Sequence, residues 1–318
     1  MNPFSLIRLP LNVRMARVSM NIPGLRRFAR RIAASPLLPS TGLVRYVGDH
    51  IIEFNGRNSQ FHAIYDQHYL AGYELETCVL LHHLLRGSAT FVDAGSNWGY
   101  FAFFALAQPT FTGSCVCYEP NASTFVDLNH CLRQAELTQR VRTKQMGLGA
   151  ISGQLRIEDS SDLSGLVRLT ANGRGQVVQV TSIDDEAISN IGLIKIDVEG
   201  MELSVLQGAE QTLREQRPWL IVENFLHHDA PLTTLEPIRW MQQQGYEVLM
   251  PLACVRHEGR VIPYHYGSPS PARSEDVDWS KMQFLRVTEA NRFLLHPQLN
   301  LFGCPKEKMG SLPGEILT

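Results

Sequence analysis

The sequence has no apolar run near the ~18 residues that cross a bilayer; its longest, Phe101 to Ala107, stops after seven. Such a chain is expected to be soluble. It also lacks internal repeats and low-complexity tracts. Its 44% hydrophobic and 19% charged residues are ordinary globular values, which excludes disordered and collagen-like classes. Cysteine is sparse: six in 318 residues, at no metal-ligand or disulfide-framework spacing. A reducing, cytoplasmic setting is the simplest expectation. Cys115 and Cys117 alternate within an apolar run, the pattern of one buried strand face. A chain of this length can bury a large core without staples and fits one or two domains.

Carboxylates are missing from the first 48 residues, which hold eight arginines ahead of Asp49. With a net charge of −2 overall, the rest of the chain is acidic, which argues against a nucleic-acid partner for it. Met1 to Pro10 holds no unbroken apolar stretch, so a secretory signal is not expected. Leu25, Phe28, Ala29, Ile32 and Ala33 follow a helical stripe, with Arg26, Arg27, Arg30 and Arg31 on the other face. Residues 1–60 are therefore read as a basic, largely helical extension. The plain role is packing on the acidic body; the others are peripheral contact with an anionic membrane, an acidic partner, or a transit peptide.

Residues 61–318 alternate strand and helix patterns. Helices are predicted over 71–86, 100–107, 122–135, 201–214 and 232–244. Strands are predicted over 90–95, 114–119, 141–146, 192–198 and 219–223, with short ones inside 153–181 and late ones at 246–250 and 283–287. Residues 266–278 read as a loop. The order implies an α/β fold with a mostly parallel sheet, helices on both faces, and ligands at the carboxyl ends of the strands.

Asp93-Ala-Gly-Ser-Asn-Trp-Gly99 leaves a strand and opens a helix. A dinucleotide fingerprint would be G-x-G-x-x-G; here a carboxylate leads and Asn97 takes the middle position. An acid at this turn is wrong for pyrophosphate and suits an ammonium and a sulfonium, the charges of S-adenosylmethionine. Twenty-four residues after Gly95, Glu119 ends the second strand, placed to accept hydrogen bonds from ribose hydroxyls. In Leu193-Ile-Lys-Ile-Asp-Val-Glu199, strand period two turns Lys195, Asp197 and Glu199 to one side. Three charges there are costly in a core and tolerable at a ligand cleft.

These segments resemble the FkbM family of S-adenosylmethionine-dependent methyltransferases. The resemblance rests on Phe-Val-Asp-Ala-Gly-Ser-Asn-Trp-Gly-Tyr at 91–100, Tyr-Glu-Pro-Asn at 118–121 and Val-Thr-Ser-Ile-Asp-Asp at 180–185, then Leu-Ile-Lys-Ile-Asp-Val-Glu-Gly-Met-Glu at 193–202 and Leu-Ile-Val-Glu at 220–223. It spans roughly 74–225, with additions over 226–318. It implies a class I, Rossmann-like methyltransferase fold that methylates a hydroxyl on a small molecule or sugar. By position, Asp93, Gly95, Asn97 and Gly99 would hold the methionine part, with Ser96 and Tyr100 in the same cofactor site. Glu119 would hold the ribose, Pro120, Asn121 and Gly147 would also belong to the cofactor site, and Asp197 would sit at the methyl-transfer centre. No acid follows the third strand, which leaves adenine to backbone groups or Ser152.

A hydroxyl acceptor must lose its proton. Asp197, Glu199, Glu223 and His227 are the candidate bases, with Lys195 to neutralise Asp197 or acidify the acceptor. Asp197, Glu199 and Glu223 could share a divalent cation, but no ligand spacing demands one and none is expected. Glu74 is expected to cap the pocket; His62, His68, His82 and His83 are read as structural. The competing readings are a nicotinamide-dependent oxidoreductase and a binding protein that kept the fold without catalysis.

Overall fold

The computed structural model describes residues 2–20, 35, 37–66, 69, 71–157, 169–170, 175–265 and 273–317. The helix expected around Arg26, Arg27, Arg30 and Arg31 lies outside them, as does most of the loop expected over 266–278.

Among the described residues the N-terminal segment holds more strand than helix, where a largely helical extension was expected. Strand β1 (Ser5–Arg8), helix α1 (Leu11–Met20), β2 (Thr41–Arg45) and β3 (Ile51–Asn55) build a three-stranded antiparallel sheet with one helix. The reason is period two: Val44, Ile52 and Phe54 turn inward between exposed neighbours. The inward face joins the main core. Phe4 lies 5.4–5.7 Å, centroid to centroid, from Tyr46, Trp98, Tyr100 and Phe103. The Tyr46 hydroxyl donates to the Phe103 carbonyl at 2.8 Å.

A single turn, α2 (His62–Tyr65), leads to α3 (Leu75–Leu84). Then follow β4 (Thr90–Ala94), α4 (Tyr100–Leu106), β5 (Ser114–Tyr118), α5 (Ala122–Gln134) and β6 (Val141–Lys144), each within a few residues of the expected span. A small sheet interrupts the alternation: β7 (Gly147–Leu148), β8 (Gly153–Ile157), β9 (Leu169–Thr170) and β10 (Val177–Thr181), in the order β7-β10-β8-β9. The chain returns through β11 (Ile191–Ile196), α6 (Glu202–Gln207), α7 (Glu210–Gln216), β12 (Trp219–Phe225) and α8 (Pro231–Gln243). It ends in strands: β13 (Tyr246–His257), β14 (Arg260–Tyr264), β15 (Val277–Arg286), β16 (Gln298–Pro305) and β17 (Gly314–Leu317).

The helix expected over 201–214 is two helices. At the break, a Cβ on Gly208 would sit 2.0 Å from the Gly149 carbonyl oxygen, so glycine lets the segment press against the chain after β7. The Asp184 carboxylate accepts the Gln211 and Thr212 N–H groups at 2.9 and 2.8 Å, giving α7 its own N-terminal cap. The Ser-Ile-Asp-Asp segment is thereby a capping device.

In the central sheet β6-β5-β4-β11-β12 run parallel. Beyond β12 the order is β16-β13-β15-β17, with β16 antiparallel to both neighbours and β14 paired to β13. Strands proceed outward from β4 to β6, then restart at β11 on the other side. The carboxyl ends of β4 and β11 therefore form the topological switch point, where a crevice opens. Alternate residues feed two cores: Phe91, Cys115, Cys117 and Leu193 pack towards α3, α4, α5 and the N-terminal sheet, while Val92, Val116, Tyr118 and Ile194 pack towards α6, α7 and α8. Asp93 and Lys195 share the first face by the same alternation. The six cysteines are all buried and unpaired. Among the described residues no helix is long and apolar enough to cross a membrane.

Candidate functional site

A cavity of about 400 Å³ opens at this switch point, within the roughly 300–1,000 Å³ of small-ligand sites. The strand ends place on its wall Gly95, Ser96, Asn97 and Tyr100 after β4, Glu119 and Pro120 after β5, Gly147 after β6, Lys195, Asp197 and Glu199 on and after β11, and Glu223 on β12. These expected residues are thus brought together from five strands. Asp93, Gly99, Asn121 and His227 are not on the wall.

The two glycines of the turn serve chain-on-chain contact. A Cβ on Gly95 (φ +78°) would lie 1.7 Å from the Asp197 carbonyl oxygen, and one on Gly99 (φ +93°) 2.6 Å from Leu128. Gly95 therefore sets the loop after β4 directly against the loop that carries Asp197. Asn97 is left-handed as well (φ 50°), and its side-chain oxygen accepts the Trp98 N–H at 2.8 Å.

Glu119 is held by backbone: Oε2 accepts the Asn97 N–H at 3.0 Å and Oε1 the Asn121 N–H at 2.8 Å. Burial pushes its carboxyl up to about 7, against those two N–H groups. The side chain of Asn121, expected among the cofactor-binding residues, caps α5 by accepting the Ser123 and Thr124 N–H groups. Ser152 is likewise taken, donating to Asp185 at 2.6 Å.

The charged centre lies between β4, β11 and β12. Lys195 Nζ is 2.8 Å from Asp197 Oδ2 and 4.7 Å from the centroid of Phe101. Burial works against the ammonium, but Asp197, Glu74 and Asp93 outweigh it and keep Lys195 charged. Burial likewise opposes charge on Asp197, yet the ammonium wins and holds its carboxyl below the usual range. Glu223 goes the other way: burial and the neighbouring Asp197, Glu199 and Glu74 push it well up. One oxygen each of Asp197, Glu199 and Glu223 lie within 4.8 Å of one another, and Gln298 donates to Glu223 Oε1 at 2.8 Å. The surroundings therefore drive the two carboxyl groups apart, favouring the charged form of Asp197 and the protonated form of Glu223. Glu74 sits just behind, left-handed at the start of α3 (φ 45°), accepting from Asn300 at 2.9 Å, with its carboxyl raised by burial to about 7.

His227 stands beyond the β12 end, where its N–H donates to Thr234 Oγ1 at 2.8 Å. That contact ties it to α8, away from the cavity wall. Sequence reasoning missed the turn Ser59, Gln60, His62 and Ala63, which forms one wall, and Gln298 of β16. No motif marked either. The signal for the turn was the bracket of apolar residues Phe61, Ala63 and Ile64 around the polar ones, which follows the end of β3.

Residues 92–248 match the family model described as the methyltransferase FkbM domain. Among curated proteins no relative matches the chain. A solved structure of methyltransferase FkbM from Methylobacillus flagellatus KT is similar over 78% of this chain, at 19% identity and a TM-score of 0.44; the match spans 53% of that structure's chain. Precorrin-6y C5,15-methyltransferase from Geobacter metallireducens GS-15 is similar over 72% of this chain and 85% of its own, at 11% identity and a TM-score of 0.37. The strand order and the glycine turn agree with this match to the methyltransferase FkbM domain over residues 92–248.

Proposed function

We propose that the protein transfers the methyl group of S-adenosylmethionine to a hydroxyl, on a small molecule or on a sugar. The observation that carries this is the shared cavity of Glu119 and Asp197. A carboxylate suited to ribose hydroxyls and an ionised acid suited to a cation open onto one space of small-ligand size.

The residues fit the cofactor. Each Glu119 oxygen accepts one backbone N–H and keeps acceptor capacity for ribose hydroxyls. Met146, Leu148 and Met201 give an apolar flank beside Gly147 for a base. The acids around Asp197 suit an ammonium and a sulfonium. Among the described residues the lining has one lysine, already paired to Asp197, so a pyrophosphate would face Glu119, Asp197 and Glu199 with no other lysine or arginine of the lining beside it. That disfavours a nicotinamide dinucleotide. When bound, the cofactor supplies an electrophilic methyl group; the chain's own part is to orient, exclude water and accept a proton. Orientation alone can contribute roughly 7–11 kcal/mol.

Calorimetry with S-adenosylhomocysteine tests the reading. Binding is expected at about 1–50 μM, weakened tenfold or more by Glu119→Ala, a loss of about 1.4 kcal/mol. A folded, cofactor-free protein that does not bind S-adenosylhomocysteine would overturn it.

A further inference from the structure

Methyl transfer to a hydroxyl needs a group to take the hydroxyl proton, and three acids of the cavity, Asp197, Glu223 and Glu119, suit that task poorly. Asp197 is ionised, but Lys195 at 2.8 Å lowers its basicity. Burial and the neighbouring acids push Glu223 towards its protonated form. In the methyl-transfer reading, the acceptor capacity that Glu119 keeps beside its two backbone N–H groups goes to the ribose hydroxyls. The imidazole on the cavity wall is His62, which the sequence marked as structural.

We propose that His62 is the general base, accepting the proton of the acceptor hydroxyl at Nε2; this rests on the methyl-transfer reading above. The ring's Nδ1 lies 2.7 Å from the Ser59 carbonyl oxygen. A carbonyl can only accept, so Nδ1 carries the hydrogen and Nε2 keeps its lone pair. Tyr69 and Tyr73 hold the ring edge-on, with centroids at 5.3 and 5.5 Å. The turn bearing it is bolted to the cofactor loop: Trp98 Nε1–H donates to the Gln60 carbonyl at 3.1 Å, and Asn58 Nδ2–H to Asn97 Oδ1 at 3.4 Å. A base on this turn is therefore set in place by the loop that follows β4.

Burial lowers the imidazole from 6.5, outweighing the Ser59 hydrogen bond and the Asp66 carboxylate, so the ring is neutral at pH 7. Its other titratable surroundings are the phenols of Tyr69 and Tyr73 and, in the shared cavity, the acids with Lys195. The chemistry balances. The acceptor O–H bond breaks and its proton goes to Nε2; the oxygen pair forms the bond to the methyl carbon as the carbon–sulfur pair returns to sulfur. The imidazolium then releases one proton to water.

The test is long-range ¹⁵N–¹H NMR of the full chain labelled at its 11 histidines, with His62 assigned through His62→Gln, from pH 5 to 8.5. The expected result is the Nδ1–H neutral tautomer, titrating below 6.5, with resonances that move when S-adenosylhomocysteine saturates the protein. An Nε2–H tautomer, or a ring unmoved by S-adenosylhomocysteine that demonstrably binds, overturns the assignment and leaves the methyl-transfer reading standing. Failure of the wild type to bind S-adenosylhomocysteine overturns that reading, and with it the role of His62. On any alkyl glycoside or phenol the protein methylates, His62→Gln should lower kcat by ~10²-fold or more and abolish the fall in rate on the acid side. An unchanged kcat and pH profile would sink the proposal.

Discussion

Two cations are buried among the described residues, and their surroundings differ in kind. Lys195, 2% exposed, lies in the parallel half of the sheet among Asp197, Glu74 and Asp93. Arg292, 0% exposed, lies between β15 and β16 in the antiparallel half and meets no carboxylate among its hydrogen-bond partners. It donates to Asn224 Oδ1 at 2.5 Å and to the carbonyls of Asn224, His296 and Pro297 at 2.8–3.2 Å. Burial lowers Arg292 to about 10, while the acids around Lys195 raise it. The contrast separates two uses of a buried charge. Where carboxylates surround it, the cation sets which acid is ionised, and so shapes chemistry. Where neutral oxygens surround it, the cation ties backbone and shapes architecture: it fixes the start of β16, whose Gln298 and Asn300 reach Glu223 and Glu74.

Lys195→Met should give the largest effect. Removing one partner of a buried charge pair costs about 3–5 kcal/mol. Urea unfolding should show that cost at pH 8, where the three acids are ionised, and a smaller one at pH 5.5, where they can take up protons. An equal cost at both values would mean the acids are not what Lys195 answers to. Arg292→Met comes next, at about 2–3 kcal/mol for buried carbonyls left without a donor. Its cost should be the same at pH 5.5 and 8, since no partner titrates. A cost that changes with pH would erase the distinction between the two sites.

The same division explains what could be read from the sequence. Asp93, Glu119, Lys195 and Asp197 were legible because each stands at the end of an apolar run followed by a glycine or proline turn. A charged residue there is out of place unless it meets a ligand or a partner. Strand β16 was not legible. Its Gln298-Leu-Asn-Leu-Phe-Gly-Cys-Pro305 is diluted by amides, a glycine and a proline, and it gains its place by pairing with β12 and β13, far off in sequence. Arg292 had no local signal, because nothing in the adjacent sequence shows that four oxygens converge on it. The wall formed by residues 59–63 is a tertiary product too: the turn has no motif, and its position depends on Trp98 and Asn97. The helical pattern around Arg26 lies outside the described residues, whereas the strands of that segment were short enough to escape a helical reading.

The smallest effect is expected from Asp93→Asn, and it probes the Lys195 site from its other side. Both Asp93 oxygens are buried without a hydrogen-bond partner, and burial raises the carboxyl to about 6 from 3.8, against the pull of Lys195. A folded-state value above the unfolded one means that the native protein holds a proton the unfolded chain has lost between pH 4 and 6. The stability this contributes is full below pH 4 and is lost as pH rises through 6. Asp93→Asn should therefore flatten the decline of stability between pH 4 and 7, leaving the part due to Glu74 and Glu119, both raised to about 7. At pH 8 the net change should stay within about 1 kcal/mol, because Asp197, hydrogen-bonded to Lys195, remains its main counter-charge. A loss at pH 8 as large as that of Lys195→Met would reverse the assignment. Asp93 would then be the counter-ion that keeps the lysine charged, and Asp197 would be free to act as the stronger base.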